Sequence, residues 1–449
     1  MGTCLIPGTK FIALTIARCP PGQAMRQQRK AKGVYADMER VVVTGMGVIS
    51  PLGSHVDELW RRMLNGESGI SRIDAPYTDK LKTQIAGVVS SFDAEGRFGR
   101  KEARKMDRFV QFALAAAEQA IEDADLQLDQ IDRDRMGVYV GSGIGGLNTL
   151  LEQNEVLRDR GPDRVSPMLV PMLIANMAAA TISIRFGATG PTLAPVTACS
   201  IGNTSIGEAM RLIRLGVADI VIAGGAEATL TEISLASFGN AHALSTRNND
   251  PTRASRPFDI DRDGFVMSEG AGIVVLESLS HARKREAHIY AEVAGYGASS
   301  DAYHVVATHP EGEGALKAMR SAIADAGIQP SDVDVISAHA TSTGVGDRSE
   351  GQAISRLFGE HAARIPVTAN KSMLGHMLGA AGGVEAIALI QSLRSGIVPP
   401  TANLERLDPE CGITNVPSKP LEASLRVGLS NSFGFGGHNA VIVIQRYEE

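Results

Sequence analysis

The apolar positions of this chain follow two alternating rhythms. Short β-branched runs recur: "RVVVTG", "MGVYVG", "DIVIAGG", "GIVVLES", "YAEVAGYG", "VDVISAH", "LRVGLSN" and "AVIVIQ". Several are almost continuously apolar, the pattern of strands buried on both faces. Between them lie stretches of helical period. In "RFVQFALAAAEQAIEDADL", Phe109, Leu114, Ala117 and Ile121 share one stripe. "GEAMRLIRLG" and "GALKAMRSAIADAG" repeat the pattern, and a glycine suited to a helix C-terminus closes the second. Strands alternating with helices predict an α/β protein with mostly parallel sheets. The series breaks near Lys284 to His288, in "HARKREAH". Each part opens alike, with "VVVTGMGVIS" and "AEVAGYGASS". The pattern points to a duplicated α/β unit whose halves, 39–288 and 289–449, pack closely.

Composition narrows the picture. The 449 residues are 44% hydrophobic and 21% charged, enough for a large core or two fused ones. High glycine, 48 residues, and only 4% aromatics suit an enzyme with many tight turns rather than a base-stacking nucleic-acid binder. A net charge of −6 argues against a general nucleic-acid or anionic-membrane surface. Cys4, Cys19, Cys199 and Cys411 lack C-x-x-C spacing. That argues against a structural zinc site or disulfide framework and fits a reducing, cytoplasmic setting. No apolar run is long enough to span a bilayer. Residues 1–37 stand apart: Lys10, Arg18, Arg26, Arg29, Lys30 and Lys32 face one acid, Asp37. They read as a disordered leader or over-long start ending near Met38. A basic transit peptide for organellar import is the alternative.

"VYVGSGIGGL" satisfies G-x-G-x-x-G with Gly141, Gly143 and Gly146 after a strand. A dinucleotide site also needs a helix and then a strand ending in an acid about 20 residues on. Here that distance falls in "RDRGPDRVSP", which reads as a loop. The glycines therefore read as places where backbone approaches backbone or a substrate arm.

Four stretches join reactive residues to glycine-rich backbone: "TACSIGN", "SAHATSTGVGD", "NKSMLGHMLGAAGG" and "NSFGFGGHN". Each alone is ambiguous, since a lone cysteine is usually core. Together they fit one task. Cys199 opens a helix, where free N–H groups and the helix dipole are expected to lower the thiol pKa. Such a thiolate can accept an acyl group from a thioester. Neutral His339 and His376 can donate to a second thioester carbonyl and stabilise an enolate. Lys371, five residues before His376, can fix its environment, and "GFGG" can supply oxyanion-hole amides.

These motifs, in this order, resemble those of the β-ketoacyl-[acyl-carrier-protein] synthases, nearest the synthase II group of dissociated fatty-acid synthesis. "RVVVTGMGVISPLG", "GSGIGG", "ALSTRNNDPTRASRPFDIDRDGFVMSEGAG" and "GYGASSDAYH" extend the likeness over about residues 39–447. The resemblance implies a thiolase-like duplicated fold with a five-layered αβαβα core, usually a homodimer. It implies transfer of an acyl chain from carrier protein to Cys199. Decarboxylating condensation with malonyl carrier protein then gives a 3-oxoacyl carrier protein, with no metal or cofactor. By the same resemblance His339 and His376 polarise the malonyl carbonyl, and Glu385 supports Lys371. Thr341 and Thr343 hold the pantetheine arm. The amides of Cys199 and Phe435 form the oxyanion hole, and Phe435 gates the acyl pocket.

The chain departs from the family pattern at Ile201, Ala340, Gly344, Leu374 and His438, which bear on loop conformation and pocket shape. "RKEARKMDRF" places Lys101, Arg104 and Lys105 at i, i+3, i+4, hence on one helix face. The family carries a basic patch for an acidic carrier protein at this place. A type II polyketide ketosynthase is the alternative enzyme. A silent chain-length partner subunit is the alternative of another class, and usually lacks the nucleophile. Neither nucleic acid nor membrane is expected as a partner.

Overall fold

Ten strands form one sheet in the computed structural model, which describes residues 38–448. The leader reading of 1–37 lies outside the described residues. Five strands precede the break: β1 (Val41–Ile49), β2 (Met136–Gly141), β3 (Thr192–Leu193), β4 (Ile220–Glu227) and β5 (Gly270–Ser278). Five follow: β6 (Ala291–Ser300), β7 (Val335–Ser337), β8 (Val367–Thr368), β9 (Val427–Gly434) and β10 (His438–Gln445). All eight runs picked out from sequence are strands. The other two, β3 and β8, are two residues long and sit at the sheet's outer ends.

The strand order is β3-β2-β4-β5-β1, then β6-β10-β9-β7-β8. Read from its outer edge inward, each half has the same order and the same directions. β2 pairs parallel with β3 and β4, while β5 runs antiparallel to β4 and β1. β7 pairs parallel with β8 and β9, while β10 runs antiparallel to β9 and β6. The halves meet where Val42 and Val43 of β1 pair with Glu292 and Ala291 of β6. The expected predominance of parallel pairing is thus corrected, because the last strand of each half returns antiparallel beside its first. Only residues 435–437 join β9 to β10, and so short a link permits only antiparallel neighbours.

Helices complete the layers. α1 (Arg108–Asp123) and α2 (Met177–Phe186) cover the outer face of the first half, where Phe109, Phe112 and Ile182 pack on Val138, Ile222 and Ile273. α3 (Ile201–Arg214) precedes β4. α4 (Glu313–Asp325) and α5 (Gly344–Phe358) cover the second half, with Leu316, Met319 and Ile354 on Ile336, Val441 and Val443. α6 (Ala381–Ser395) and α3 lie between, sharing one core with Val41 and Val274 of the first half and Val293 and Ile442 of the second. The sequence α-β-α-β-α is the expected five-layered core.

Glycines set the closest approaches. A Cβ on Gly45 or Gly47 of β1 would strike the carbonyls of Ala120 and Ala116 on α1. A Cβ on Gly295 or Gly297 of β6 would strike those of Ala322 and Ala318 on α4. The similar openings of the two halves therefore record one packing arrangement used twice. In the middle layer, Gly202 meets Gly382 and Gly383, which lets α3 and α6 cross closely enough to bring their N-terminal turns together.

Candidate active site

Cys199 sits in a single tight turn, Ala198–Ser200, that runs into α3. Ala198 takes φ +51°, a left-handed conformation that non-glycine residues adopt at a cost of about 1–3 kcal/mol. The Ser200 hydroxyl closes the turn by donating to the Thr197 carbonyl at 2.7 Å. The sulfur faces a cavity of about 570 Å³ that His339, His376, Thr341, Thr343 and Phe435 also line. Residues scattered over more than half the chain thus share one chamber.

The expectation of a lowered thiol pKa is corrected. Burial pushes the Cys199 thiol up to about 12, against the opposing pull of the Lys371 charge and of the amides of Phe435 and Cys199. Glu227 adds to the upward shift. Desolvation in a closed apolar site outweighs the helix start. Among the described residues neither of those two amides donates to a backbone carbonyl outside the helices and strands; both act on the Cys199 sulfur instead. Gly436 and Gly437 take φ +82° and +75°, which turns the backbone so that Phe435 faces the chamber. The Phe435 ring stacks 6.1 Å from Phe238, which lies 5.6 Å from Phe265.

His339 and His376 meet edge to face, ring centroids 5.4 Å apart. Burial, then the Lys371 charge, holds both well below the usual imidazole value; His376 lowers His339 further. Both are therefore neutral near pH 7. Each Nδ1 is buried without a hydrogen-bond partner among the described residues. Lys371 stands behind the chamber wall, fully buried, with its Nζ 2.5 Å from Glu385. Burial pushes the Glu385 carboxyl up to about 7, with Lys371 opposing.

Two acids that sequence reasoning passed over hold the His339 loop. Glu350 of α5 accepts from the amides of His339 at 2.9 Å and Ala340 at 2.7 Å, and from the Asn431 side chain at 2.9 Å. Asp347, one turn earlier, accepts from the amides of Ser342 at 3.1 Å and Thr343 at 3.3 Å. Ala340 and Ser342 take φ +26° and +69°, so the loop is strained and these carboxylates pin it. The Thr341 and Thr343 hydroxyls lie 3.2 Å apart at the chamber wall. The only signal in sequence was two acids three apart on a helix face, which usually means solvent exposure.

The glycine-rich GSGIGG loop holds a carboxyl group, but it is the protein's own. Glu227, at the end of β4, accepts from the amides of Gly143 at 2.9 Å and Ile144 at 3.3 Å, and from the Ser142 hydroxyl at 3.0 Å. Gly141 lies against the Pro195 carbonyl and Gly146 against that of Met172, as the backbone-to-backbone reading expected.

Of the departures, Ile201 is fully buried and packs on Gly141 and Gly225 beneath Cys199, outside the cavity lining. Leu374 belongs to the central core, His438 is exposed at the start of β10, and Gly344 opens α5 at the chamber wall.

Lys101, Arg104 and Lys105 lie outside the chamber lining and are exposed. The expected single helix face is corrected. The helix there spans only Arg100–Ala103, because Gly99 (φ +77°) starts it and Asp107 caps α1 soon after. Arg104 lies 3.8 Å from Glu95 and Lys105 2.7 Å from Glu102.

Comparison with known proteins places this geometry. Residues 38–282 match a family model described as the N-terminal domain of β-ketoacyl synthase, and 290–405 match the C-terminal domain. A 3-oxoacyl-[acyl-carrier-protein] synthase 2 from Staphylococcus aureus is 48% identical over 410 residues, 91% of this chain and 99% of that protein. One from Synechocystis is 47% identical over 92% and 99%. A type II PKS ketosynthase, solved with its acyl-carrier protein, is similar at TM-score 0.85 and 36% identity, covering 92% of this chain and 100% of that one. A β-ketoacyl synthase from Burkholderia phymatum gives TM-score 0.85 at 33% identity over the same shares.

Proposed function

The chain belongs to the β-ketoacyl synthase family, and from that premise we propose how its residues share the reaction. The enzyme is an acyltransferase. It condenses acyl and malonyl thioesters of acyl carrier protein, with loss of carbon dioxide, to a 3-oxoacyl thioester in fatty-acid elongation. Identity to the 3-oxoacyl-[acyl-carrier-protein] synthases, 47–48%, exceeds the 36% to the polyketide ketosynthase and favours the fatty-acid reaction. The retained Cys199 speaks against a silent partner subunit.

Cys199 attacks the acyl thioester. Its proton passes to the departing carrier thiolate, so that no free thiolate accumulates in the apolar chamber. The amides of Cys199 and Phe435 hold the oxyanion. Malonyl carrier protein then binds with its arm along Thr341 and Thr343. Its carboxyl–carbon bond breaks, carbon dioxide leaves, and the electron pair becomes an enolate. His339 and His376 donate to the enolate oxygen. A buried Nδ1 without an acceptor is a poor place for a proton, which favours the tautomer protonated at Nε2. The carbanion attacks the acyl-cysteine, a carbon–carbon bond forms, and the Cys199 sulfur leaves and takes up a proton from solvent, which restores the thiol. Burial, with the charge of Lys371 beside it, keeps both rings neutral and therefore donors that do not surrender a full proton.

The observation that carries this reading is one chamber lined by a thiol, the two residues whose amides face its sulfur, and two neutral imidazoles. The exposed cations Lys101, Arg104 and Lys105 are proposed to meet the acidic carrier protein. The working unit is proposed to be a homodimer. β3 is one of the sheet's two end strands, and Leu193 (50%), Val196 (57%), Val170 (60%) and Ile184 (79%) are exposed in the segments around it. The setting is proposed to be the cytoplasm, where reducing conditions keep Cys199 free. Boundaries at 39–288 and 289–449 for the two halves follow the repeated strand order. Mass spectrometry of purified protein with acyl and malonyl carrier proteins tests the function. A 3-oxoacyl product two carbons longer is expected, and its absence with every acyl donor refutes it.

A further inference from the structure

Glu227 is fully buried, lines the reaction chamber, and has no part in the chemistry just described. Its carboxylate sits where three elements converge. Oε1 accepts from the Ser142 hydroxyl at 3.0 Å and the Ile144 amide at 3.3 Å. Oε2 accepts from the amides of Gly143 at 2.9 Å and Gly379 at 3.2 Å. Ser142 in turn accepts from the Gly145 amide at 3.0 Å, so the whole loop is drawn onto the acid. Ser142 to Gly145 follow β2 and supply Gly143 and Ile144 to the chamber wall. Gly379 lies in the tight turn Leu378–Ala380, three residues after His376. Ile201, two residues past Cys199, fills the space beside Gly141 and Gly143. One anion thus ties the wall next to the nucleophile to the turn that follows a histidine.

We propose that Glu227 is a positioning residue for the condensation: it locks the Ser142–Gly145 wall and the His376 turn into one rigid frame around Cys199. Four donors aimed at one carboxylate satisfy it without a cation, and each would be orphaned in a closed site if the acid were lost. The geometry also accounts for the dinucleotide-like glycine motif, whose amides cradle this side chain rather than a phosphate. Burial pushes the Glu227 carboxyl up to about 7, with the same four donors opposing, so the grip is electrostatically finely balanced. The other titratable groups lining the chamber are Cys199, His242, Asp301, His339 and His376, with Lys371 behind the wall.

Glu227→Gln keeps the shape but turns one acceptor into an NH2. At the Oε2 position that group faces the amides of Gly143 and Gly379, and at the Oε1 position it faces the Ile144 amide while the Ser142 hydroxyl must reverse and accept, so in either orientation the wall or the turn must move. A displacement near 1 Å at a reacting group costs on the order of 100-fold in rate. Glu227 touches no reacting atom in the proposed steps, so the effect falls on kcat. The test measures kcat and KM on carrier-linked substrates, with acyl-enzyme formation and carbon dioxide release followed separately. It does so for wild type, Glu227→Gln and the milder Ser142→Ala. The inference rests on the condensing reading, so wild-type protein must first yield the 3-oxoacyl product; failure there refutes that reading instead. In Glu227→Gln both half-reactions are expected to slow by about 10- to 100-fold with KM within about three-fold. Ser142→Ala, which loosens only the wall, should slow acyl-enzyme formation more than carbon dioxide release, at an unchanged melting temperature. A Glu227→Gln kcat within two-fold of wild type, or a loss confined to KM, overturns the inference. If Glu227→Gln does not fold, Ser142→Ala decides alone, and wild-type half-reactions there overturn it.

Discussion

At Cys199, desolvation outweighs the helix start and the Lys371 charge together. A thiol held near 12 costs on the order of 7 kcal/mol to ionise at pH 7. Burial thus disfavours a standing thiolate, in keeping with the proposed transfer of the proton to the carrier's departing sulfur. That Cys199, His339 and His376 meet at one chamber with Lys371 behind it was legible because several motifs agreed on one chemistry. The sign of the thiol shift was not, because it depends on how completely the surrounding layers close. Glu227, Asp347 and Glu350 were missed for the same reason: an acid reads as solvated until the fold supplies its donors. The buried histidines carry a pH signature. Their folded pKa values lie well below 6.5, so below that pH the unfolded chain takes up protons that the folded chain refuses. Each ring then removes up to about 1.4 kcal/mol of stability per pH unit. His376→Asn, with one ring fewer, is expected to lose less melting temperature than wild type between pH 6.5 and 5.5. Equal losses in the two proteins would place His376 outside the buried, neutral pair.

α5 shows how an element builds a site. Asp347 and Glu350, one turn apart and both buried, grip a loop that runs through two left-handed residues. Its N-terminal Gly344 stands at the chamber wall, so the helix start and the substrate path coincide. In α3, Ile201 is packing beneath the nucleophile rather than pocket lining. Ile201→Val is expected to cost about 0.5–1.5 kcal/mol in thermal or denaturant unfolding. The ranking of acyl chain lengths should stay unchanged, and a shifted ranking would return Ile201 to the pocket. Lys101, Arg104 and Lys105, proposed to dock the carrier protein, lie on a short helix and the turn after it, not one helical face. Arg104→Glu should raise the Michaelis constant several-fold for carrier-linked substrates and spare small thioester analogues, since complementary charge acts on encounter. Equal losses on both substrate kinds would remove the docking role. The eight strands were legible from their continuous apolar runs. β3 and β8 were not, being too short to set a pattern. The helix at 100–105 was misread because i, i+3, i+4 spacing ignored Gly99 and the Asp107 cap.

Across the whole molecule, one strand order is used twice, and the middle core draws on both halves. β1 and β6 repeat the same glycine pair for the same reason, which is why the duplication left a trace in sequence. The antiparallel return strands left none, because apolar runs carry no direction. The middle-layer helices carry or follow the chemistry: Cys199 precedes α3, and His376, Gly379 and Glu385 lie before or within α6. The site therefore depends on both halves staying fused. The unpaired β3 edge and the apolar side chains around it set the expectation for assembly. Sedimentation equilibrium should give twice the chain mass, and Leu193→Asp should shift it to one. A wild-type monomer would place the interface elsewhere or nowhere.

The central claim is that Cys199 carries the growing chain between two carrier-bound thioesters. Intact-protein mass spectrometry tests it most directly, after mixing the enzyme with an acyl carrier protein and then adding malonyl carrier protein. The expected result is an enzyme heavier by one acyl group. The adduct maps to Cys199 and is absent in Cys199→Ala. It disappears on malonyl addition as a 3-oxoacyl carrier protein and carbon dioxide appear. Acylation that persists in Cys199→Ala, or an acyl-enzyme that malonyl carrier protein does not discharge, would contradict it.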